Sequence, residues 1–273
     1  MAVIRRRTER VIIPFKYLEF QHTPPIAKVI LAAPLENNRI NGAMAEEIRV
    51  VCQTIAADDT LGLAGFTGSG GFFSVGRAVP DLAPEREGQV SPFETWITQH
   101  QVAAAVASLA VPVLMVINGD ALDHGLELAL AGDLRVAASN ARLGLTDLSR
   151  GVLPWDGGTQ RLPRLVGQAW ARDMILTSRV IDAHQALALG LVNRVIEADR
   201  LMAEVRQLAD TILMGGPIAA RYAKEALRKG MDLSLGQGLG LEADLNVILQ
   251  STADRAEGIQ SFLQKRQPKF TGR

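Results

Sequence analysis

Through its first two-thirds the chain repeats one pattern, a short apolar and often β-branched run followed by a stretch of helical spacing. The runs "KYLEF", "AKVILAA", "LGLAGFTG", "PVLMVING" and "DLRVAAS" are too short for helices and suit strands. Between them, "NGAMAEEIRVVCQTIAADD" predicts a helix beginning near Asn41. "SPFETWITQHQVAAAVASLAVP" predicts another, with Ser91 as its cap, Pro92 in its first turn and Pro112 beyond its end. Strands that alternate with helices require a parallel or mixed sheet with helical crossovers, an α/β architecture.

From about residue 168 helix follows helix: "QAWARDMILTS", "DAHQALALG", "ADRLMAEVRQLADTILMG", "PIAARYAKEALRKG", "LGLEADLNVILQS" and "ADRAEGIQSFLQKR". A strand-rich body with a helical C-terminal third is therefore expected, without internal repeats, and residues 78–91, "AVPDLAPEREGQVS", read as a loop. With 273 residues, 48% of them hydrophobic, the chain can bury a full core. Lysine plus arginine and aspartate plus glutamate both number 29, so the global basic field of a nucleic-acid binder is missing. The lone Cys52 excludes an intramolecular disulfide and cysteine-rich metal sites, and its apolar helical face reads as an inert core thiol. His22, His100 and His184 share no ligand spacing, so no metal site is expected. No run of 18 apolar residues and no apolar stretch after the basic N-terminus appear. A cytoplasmic protein without membrane span or secretion signal is expected.

One charge breaks the pattern. In "ALDHGLELALAGDLRVA" Glu127 stands between Leu126 and Leu128. A buried, unpaired carboxylate costs several kcal/mol, comparable to the stability of a whole domain, so such a residue is neutralised, paired or used. Two glycine-rich turns bear on it: "FTGSGGFFSVGR" at 66–77, and "INGDALDHG" at 117–125, which leads into the Glu127 helix. Glycine lets backbone N–H groups approach a ligand, and two such turns are able to aim donors at one developing oxyanion. The first turn lacks the third glycine of a dinucleotide fingerprint, and neither a phosphate-binding Gly-Lys-Ser/Thr motif nor a Gly-x-Ser-x-Gly elbow is present. A second acid, Asp147, reads either as a loop or cap residue or as a partner for Glu127. Two carboxylates in one apolar pocket are driven to different protonation states, one to act as base and the other as acid.

The stretch "VPVLMVINGDALDHGLELALAGDLRVAASNARLGLTDLSRGVLPWDGGTQRLPRLVG", with "GFFSVGR" before it and "ALALGLVNRVI" after it, resembles the enoyl-CoA hydratase/isomerase, or crotonase, superfamily. The resemblance runs from about Ala27 to the terminal "FLQKRQPKFTGR". It implies a crotonase-like fold of stacked ββα units with the acyl-CoA site in residues 1–200, and a helical region, 201–273, that joins subunits into a homotrimer or a dimer of trimers. The implied ligand is an acyl-CoA, with no cofactor beyond the coenzyme A of the substrate and neither nucleic acid nor membrane as partner. The family's two oxyanion-hole N–H groups map onto the main chains of Arg77 and His124. Ser74, Val75, Gly76, Gly125, Trp155 and Asp156 map onto substrate-binding positions, and the two catalytic glutamates map onto Glu127 and Asp147.

Departures accompany the match. Asp147 is one methylene shorter than the family's glutamate, Asp123 and His124 replace consecutive glycines, Trp155 and Asp156 follow Pro154, and Arg77 replaces an alanine. Trp155 maps beside the acyl end of the pocket, which favours a smaller or ring-containing acyl group. The implied activity is that of a hydratase-like lyase acting through an oxyanion-stabilised enolate. An isomerase, an acyl-CoA hydrolase and a catalytically silent acyl-CoA binder are the alternatives.

Overall fold

Each of the five apolar runs contributes a strand to one sheet. In the computed structural model, which describes residues 15–76 and 100–273, the large sheet has the order β1 (Leu18–Thr23), β2 (Ile26–Leu31), β3 (Leu63–Gly68), β5 (Val113–Ile117), β7 (Leu134–Ala138) and β10 (Arg194–Ile196). Only the β1–β2 pairing is antiparallel. All five residues of β5 are buried, as expected for a parallel strand covered on both faces. Val113, Met115 and Ile117 face the main core. Leu114 and Val116 face a second cluster with Leu201, Val205, Leu208 and Ala209, which line one side of the helix Leu201–Leu213.

A second sheet orders β4 (Phe72–Val75), β6 (Asp120–Leu122), β8 (Arg142–Gly144) and β9 (Val180–Asp182), with only the β8–β9 pair antiparallel. The chain passes from large sheet to small one three times, β3 to β4, β5 to β6 and β7 to β8, which gives the expected stacked units. The corners are tight. A Cβ on Gly119 would fall 1.9 Å from the Gly71 carbonyl oxygen, so only glycine fits there. Asn118 ties the two corners together, its Oδ1 accepting from Gly68 N at 3.0 Å and its Nδ2 donating to Gly70 O at 3.0 Å.

The helix predicted near Asn41 spans Gly42–Ala56, and the Asn41 side chain accepts from Met44 N as a cap. The helix expected between Ser91 and Pro112 is corrected. Ser91, Pro92 and the loop at 78–91 lie outside the described residues. Residue 100 is helical, 101 and 102 are not, and a separate helix covers Ala103–Ala107. The two segments read as turns also contain strands β4 and β6. The helical region at 168 begins earlier, at Gly158, and runs to Leu176 with a kink at Gly167 (φ 78°, ψ 162°). Beyond the sheet lie the helices Pro217–Gly230, Leu235–Leu249 and Ala253–Leu263, on or beside which Leu227, Met231, Leu235, Val247 and Phe262 are exposed. No helix among the described residues is long and apolar enough to cross a membrane.

Candidate active site

Glu127 belongs to a one-and-a-half-turn helix, His124–Ala129, whose six residues are all buried. It starts against the small sheet: a Cβ on Gly125 would meet the Ser74 carbonyl oxygen at 2.1 Å. Asp123, just before it, has φ 52° and ψ −122°, a conformation costly for a residue with a side chain. Its surroundings hold it there. The Asp123 N–H donates to Gly144 O at 2.9 Å, and its Oδ1 accepts from both the N–H and the hydroxyl of Thr146.

The Glu127 carboxylate is fully buried. Oε1 accepts two main-chain bonds, from Asp156 N and Gly158 N, each at 2.8 Å, while Oε2 has no hydrogen-bond partner among the described residues. Burial pushes its pKa up to about 8. The two N–H groups work against that rise, and the charges of Asp156 and Asp147 add to it. The neutral acid is the prevailing form at pH 7. Gly158 is required to be small because a Cβ there would lie 3.0 Å from Glu127 Oε1 and 2.9 Å from Leu145.

Asp147 opens a 3-10 turn, Asp147–Arg150, and is buried. Its charge is the smallest of the causes that raise the Glu127 pKa. Arg150 donates through one Nη2 to Asp147 Oδ1 at 3.0 Å and to Asp123 Oδ2 at 2.7 Å.

His124 and Asp156 form a second connection. The His124 ring is buried, with Nε2 3.0 Å from Asp156 Oδ2, and the same oxygen accepts from Val102 N and Ala103 N at 2.8 Å each. Asp156 thus caps the helix Ala103–Ala107 from 53 and 54 residues away while its own N–H holds Glu127. Its carboxylate is turned to the protein. Trp155 is half-buried, its ring 5.1 Å from that of His124 and 6.5 Å from that of His100.

The other expected positions surround the helix start. Val75 N donates to Asn37 O, and Gly76 N to Leu122 O, so both N–H groups are engaged within the fold. The Ser74 hydroxyl is buried without a hydrogen-bond partner among the described residues. Arg77 lies outside the described residues. Sequence reading missed Arg150, Thr146 and the donor role of Gly158. The signal for Gly158 was present in "WDGGTQRLPRLVG", whereas Arg150 acquires its role only once Asp123, 27 positions away, is folded against it. Among the described residues no group of three or more His, Cys, Asp or Glu side chains is arranged to hold a metal ion.

The sequence profile described as "Enoyl-CoA hydratase/isomerase" matches residues 21–273. The chain is 37% identical to the 2,3-dehydroadipyl-CoA hydratase of Escherichia coli over 243 residues, covering 89% of this chain and 94% of that protein. It is 35% identical to the crotonyl-CoA hydratase of Syntrophomonas wolfei over 246 residues, with 90% and 94% covered. The crystal structure of an enoyl-CoA hydratase from Bacillus anthracis superposes with a TM-score of 0.89 at 34% identity, covering 94% of this chain and all of that one.

Proposed function

Because the chain belongs to the enoyl-CoA hydratase/isomerase family, we propose that it is a hydratase-like lyase that adds water to the double bond of an enoyl-CoA, or removes it in reverse. One observation carries the reading. Glu127 is fully buried, with one oxygen held by two main-chain N–H groups and the other without a hydrogen-bond partner among the described residues, and Asp147, an acid from a separate element, is buried as well.

In this reading the thioester carbonyl accepts the main-chain N–H groups of Arg77 and His124, which stabilise the enolate. Such donors are typically worth about 3 to 4 kcal/mol each. Water oxygen bonds to Cβ as one of its protons passes to a carboxylate, and the other carboxylate delivers a proton to Cα, so the sum is one water per double bond. Coenzyme A arrives with the substrate and the step uses no other cofactor. Ser74, Val75, Gly76 and Gly125 form the wall at the acyl thioester. Trp155, half-buried against His124, favours a compact or ring-containing acyl group over a long straight one. Residues 201–273 assemble the trimer or pair of trimers, a role supported by the apolar side chains they expose, Leu227, Met231, Leu235, Val247 and Phe262.

A panel of straight, branched and cyclic enoyl-CoAs followed by mass spectrometry tests the activity. Gain of one water from a member of the panel is expected, and Glu127→Gln should abolish it while acyl-CoA binding persists. A shifted double bond without mass change, release of free coenzyme A, or binding without any product overturns the reading.

A further inference from the structure

The two donors assigned to the enolate follow different strands, so their separation depends on how β4 and β6 are aligned. These strands run parallel, and a parallel pair lies about 4.8 Å apart and advances about 3.3 Å per residue. A slip of one residue is therefore more than a hydrogen bond can follow. The alignment here is not a plain ladder. Phe72 pairs with Asp120 and Ser74 with Ala121, so β4 takes two steps where β6 takes one, a β-bulge with Phe73 as the extra residue. Past the bulge Val75 pairs with Leu122, and Gly76 N donates to Leu122 O at 2.9 Å. A Cβ on Gly76 would lie 3.3 Å from Asp123 Oδ2, so these two residues are neighbours. The residues that follow them in sequence are Arg77 and His124. A ladder without the bulge would instead bring Gly76 level with His124.

Three paired positions flanked by glycines specify such an alignment weakly by themselves. Residues 37–40 grip β4 on both sides of the bulge. The Asn38 side chain is fully buried. Its Nδ2 donates to Phe72 O and to Ser69 O at 2.9 Å each, and its Oδ1 accepts from Ala33 N at 2.9 Å. Beyond the bulge Asn37 O accepts from Val75 N and Ile40 N donates to Gly76 O, both at 3.0 Å. Gly68 leaves room for the grip, since a Cβ there would lie 2.8 Å from Asn38 Nδ2 and 2.0 Å from Phe72 O. Asn118 holds the same corner through Gly68 N and Gly70 O. The extra residue is itself anchored, because Phe73 is fully buried in the main core.

We propose that Asn38 is a positioning residue for the reaction. By holding the Phe72 carbonyl it keeps the bulge, and with it the offset between the chain leaving Gly76 and the start of the His124 helix. The inference rests on the hydratase reading, in which the main chains of residues 77 and 124 receive the thioester oxygen, and deepens it. Both donors must stand about 2.7 to 3.1 Å from the developing oxyanion at once, so a shifted β4 leaves one of them out of reach. Buried and engaged by main-chain groups at both ends of its amide, Asn38 acts through the backbone and not by contact with substrate.

The test compares wild type with Asn38→Ala, Asn118→Ala and a control, Asn41→Ala, which removes the cap of the helix Gly42–Ala56 and lowers stability without touching the bulge. Folding is checked by thermal melting, and kcat and KM are measured on the best substrate of the panel. The saturated acyl-CoA of the same acyl group, isotope-labelled at the thioester carbonyl carbon, is bound to each protein, and its carbonyl stretch is read by difference infrared spectroscopy. Wild type and Asn41→Ala should lower the carbonyl frequency equally relative to the free ligand. In Asn38→Ala that shift should shrink by about half and kcat should fall about 30-fold or more with KM within about threefold, since a misplacement of about 1 Å costs on the order of 100-fold. Asn118→Ala should move both readouts in the same direction. A wild-type shift and kcat in folded Asn38→Ala overturn the proposal, as does an equal loss of the shift in Asn41→Ala. Should Asn38→Ala not fold, Asn118→Ala decides: a reduced shift supports the proposal and a wild-type shift overturns it. If wild type hydrates no substrate, or binds acyl-CoA without any carbonyl shift, the hydratase reading fails instead.

Discussion

Glu127 and Asp147 are both buried carboxylates, yet they are held by opposite means. Two main-chain N–H groups grip Glu127 from one side, in a setting that favours its neutral form. Asp147 is gripped by a guanidinium that is 44% exposed and shared with Asp123. The difference teaches that a fold sets similar side chains apart by choosing what surrounds them: main-chain donors and burial for one, a guanidinium reaching in from the surface for the other.

The sharpest way to break that contrast is Glu127→Gln. Turnover should fall by on the order of a thousandfold, as expected for loss of a general acid or base. The same variant should change how stability depends on pH. The Glu127 pKa stands above its ordinary 4.5 at about 8, so between those values the native state binds more protons than the unfolded one and stability declines as pH rises. That decline, up to about 1.4 kcal/mol per pH unit, should be missing from Glu127→Gln in denaturant melts. Next comes Asp156→Ala, which strips the acceptor from the Val102 and Ala103 N–H groups and from His124. A loss of about 3 kcal/mol is expected, seen as a fall in Tm of about 6 to 12 °C. Asp147→Asn should be the mildest for the fold. Arg150 keeps Asp123, and the melting free energy should stay within about 1 kcal/mol of wild type while turnover falls about a hundredfold.

How much of this was legible follows from what each element depends on. Strands such as Val113–Ile117 bury every residue and announce themselves as apolar runs, and Asn41 caps its helix through a local bond to Met44 N. The small sheet is different. Its strands have three or four residues, too few to establish a period, and they are embedded among glycines that read as turns. The break at 101–102 was invisible because the carboxylate that caps Ala103–Ala107 comes from Asp156, more than 50 residues on. Glu127 stood out because a charge among leucines is anomalous whatever the fold. Arg150 did not, because an arginine three residues after an aspartate is an ordinary surface pair until Asp123 is brought beneath it.

The single oxygen of Asp156 that receives His124, Val102 and Ala103 has a consequence for how this sequence is able to change. Positions 124 and 156 are mutationally interdependent. Replacing His124 alone leaves a buried carboxylate short of one partner, and replacing Asp156 alone takes a carboxylate from a buried imidazole and the acceptor from the start of a helix. A path toward a different residue at either position therefore runs through an unfavourable single substitution or through both at once, so the neighbourhood of Glu127 resists stepwise remodelling more than the exposed C-terminal helices do.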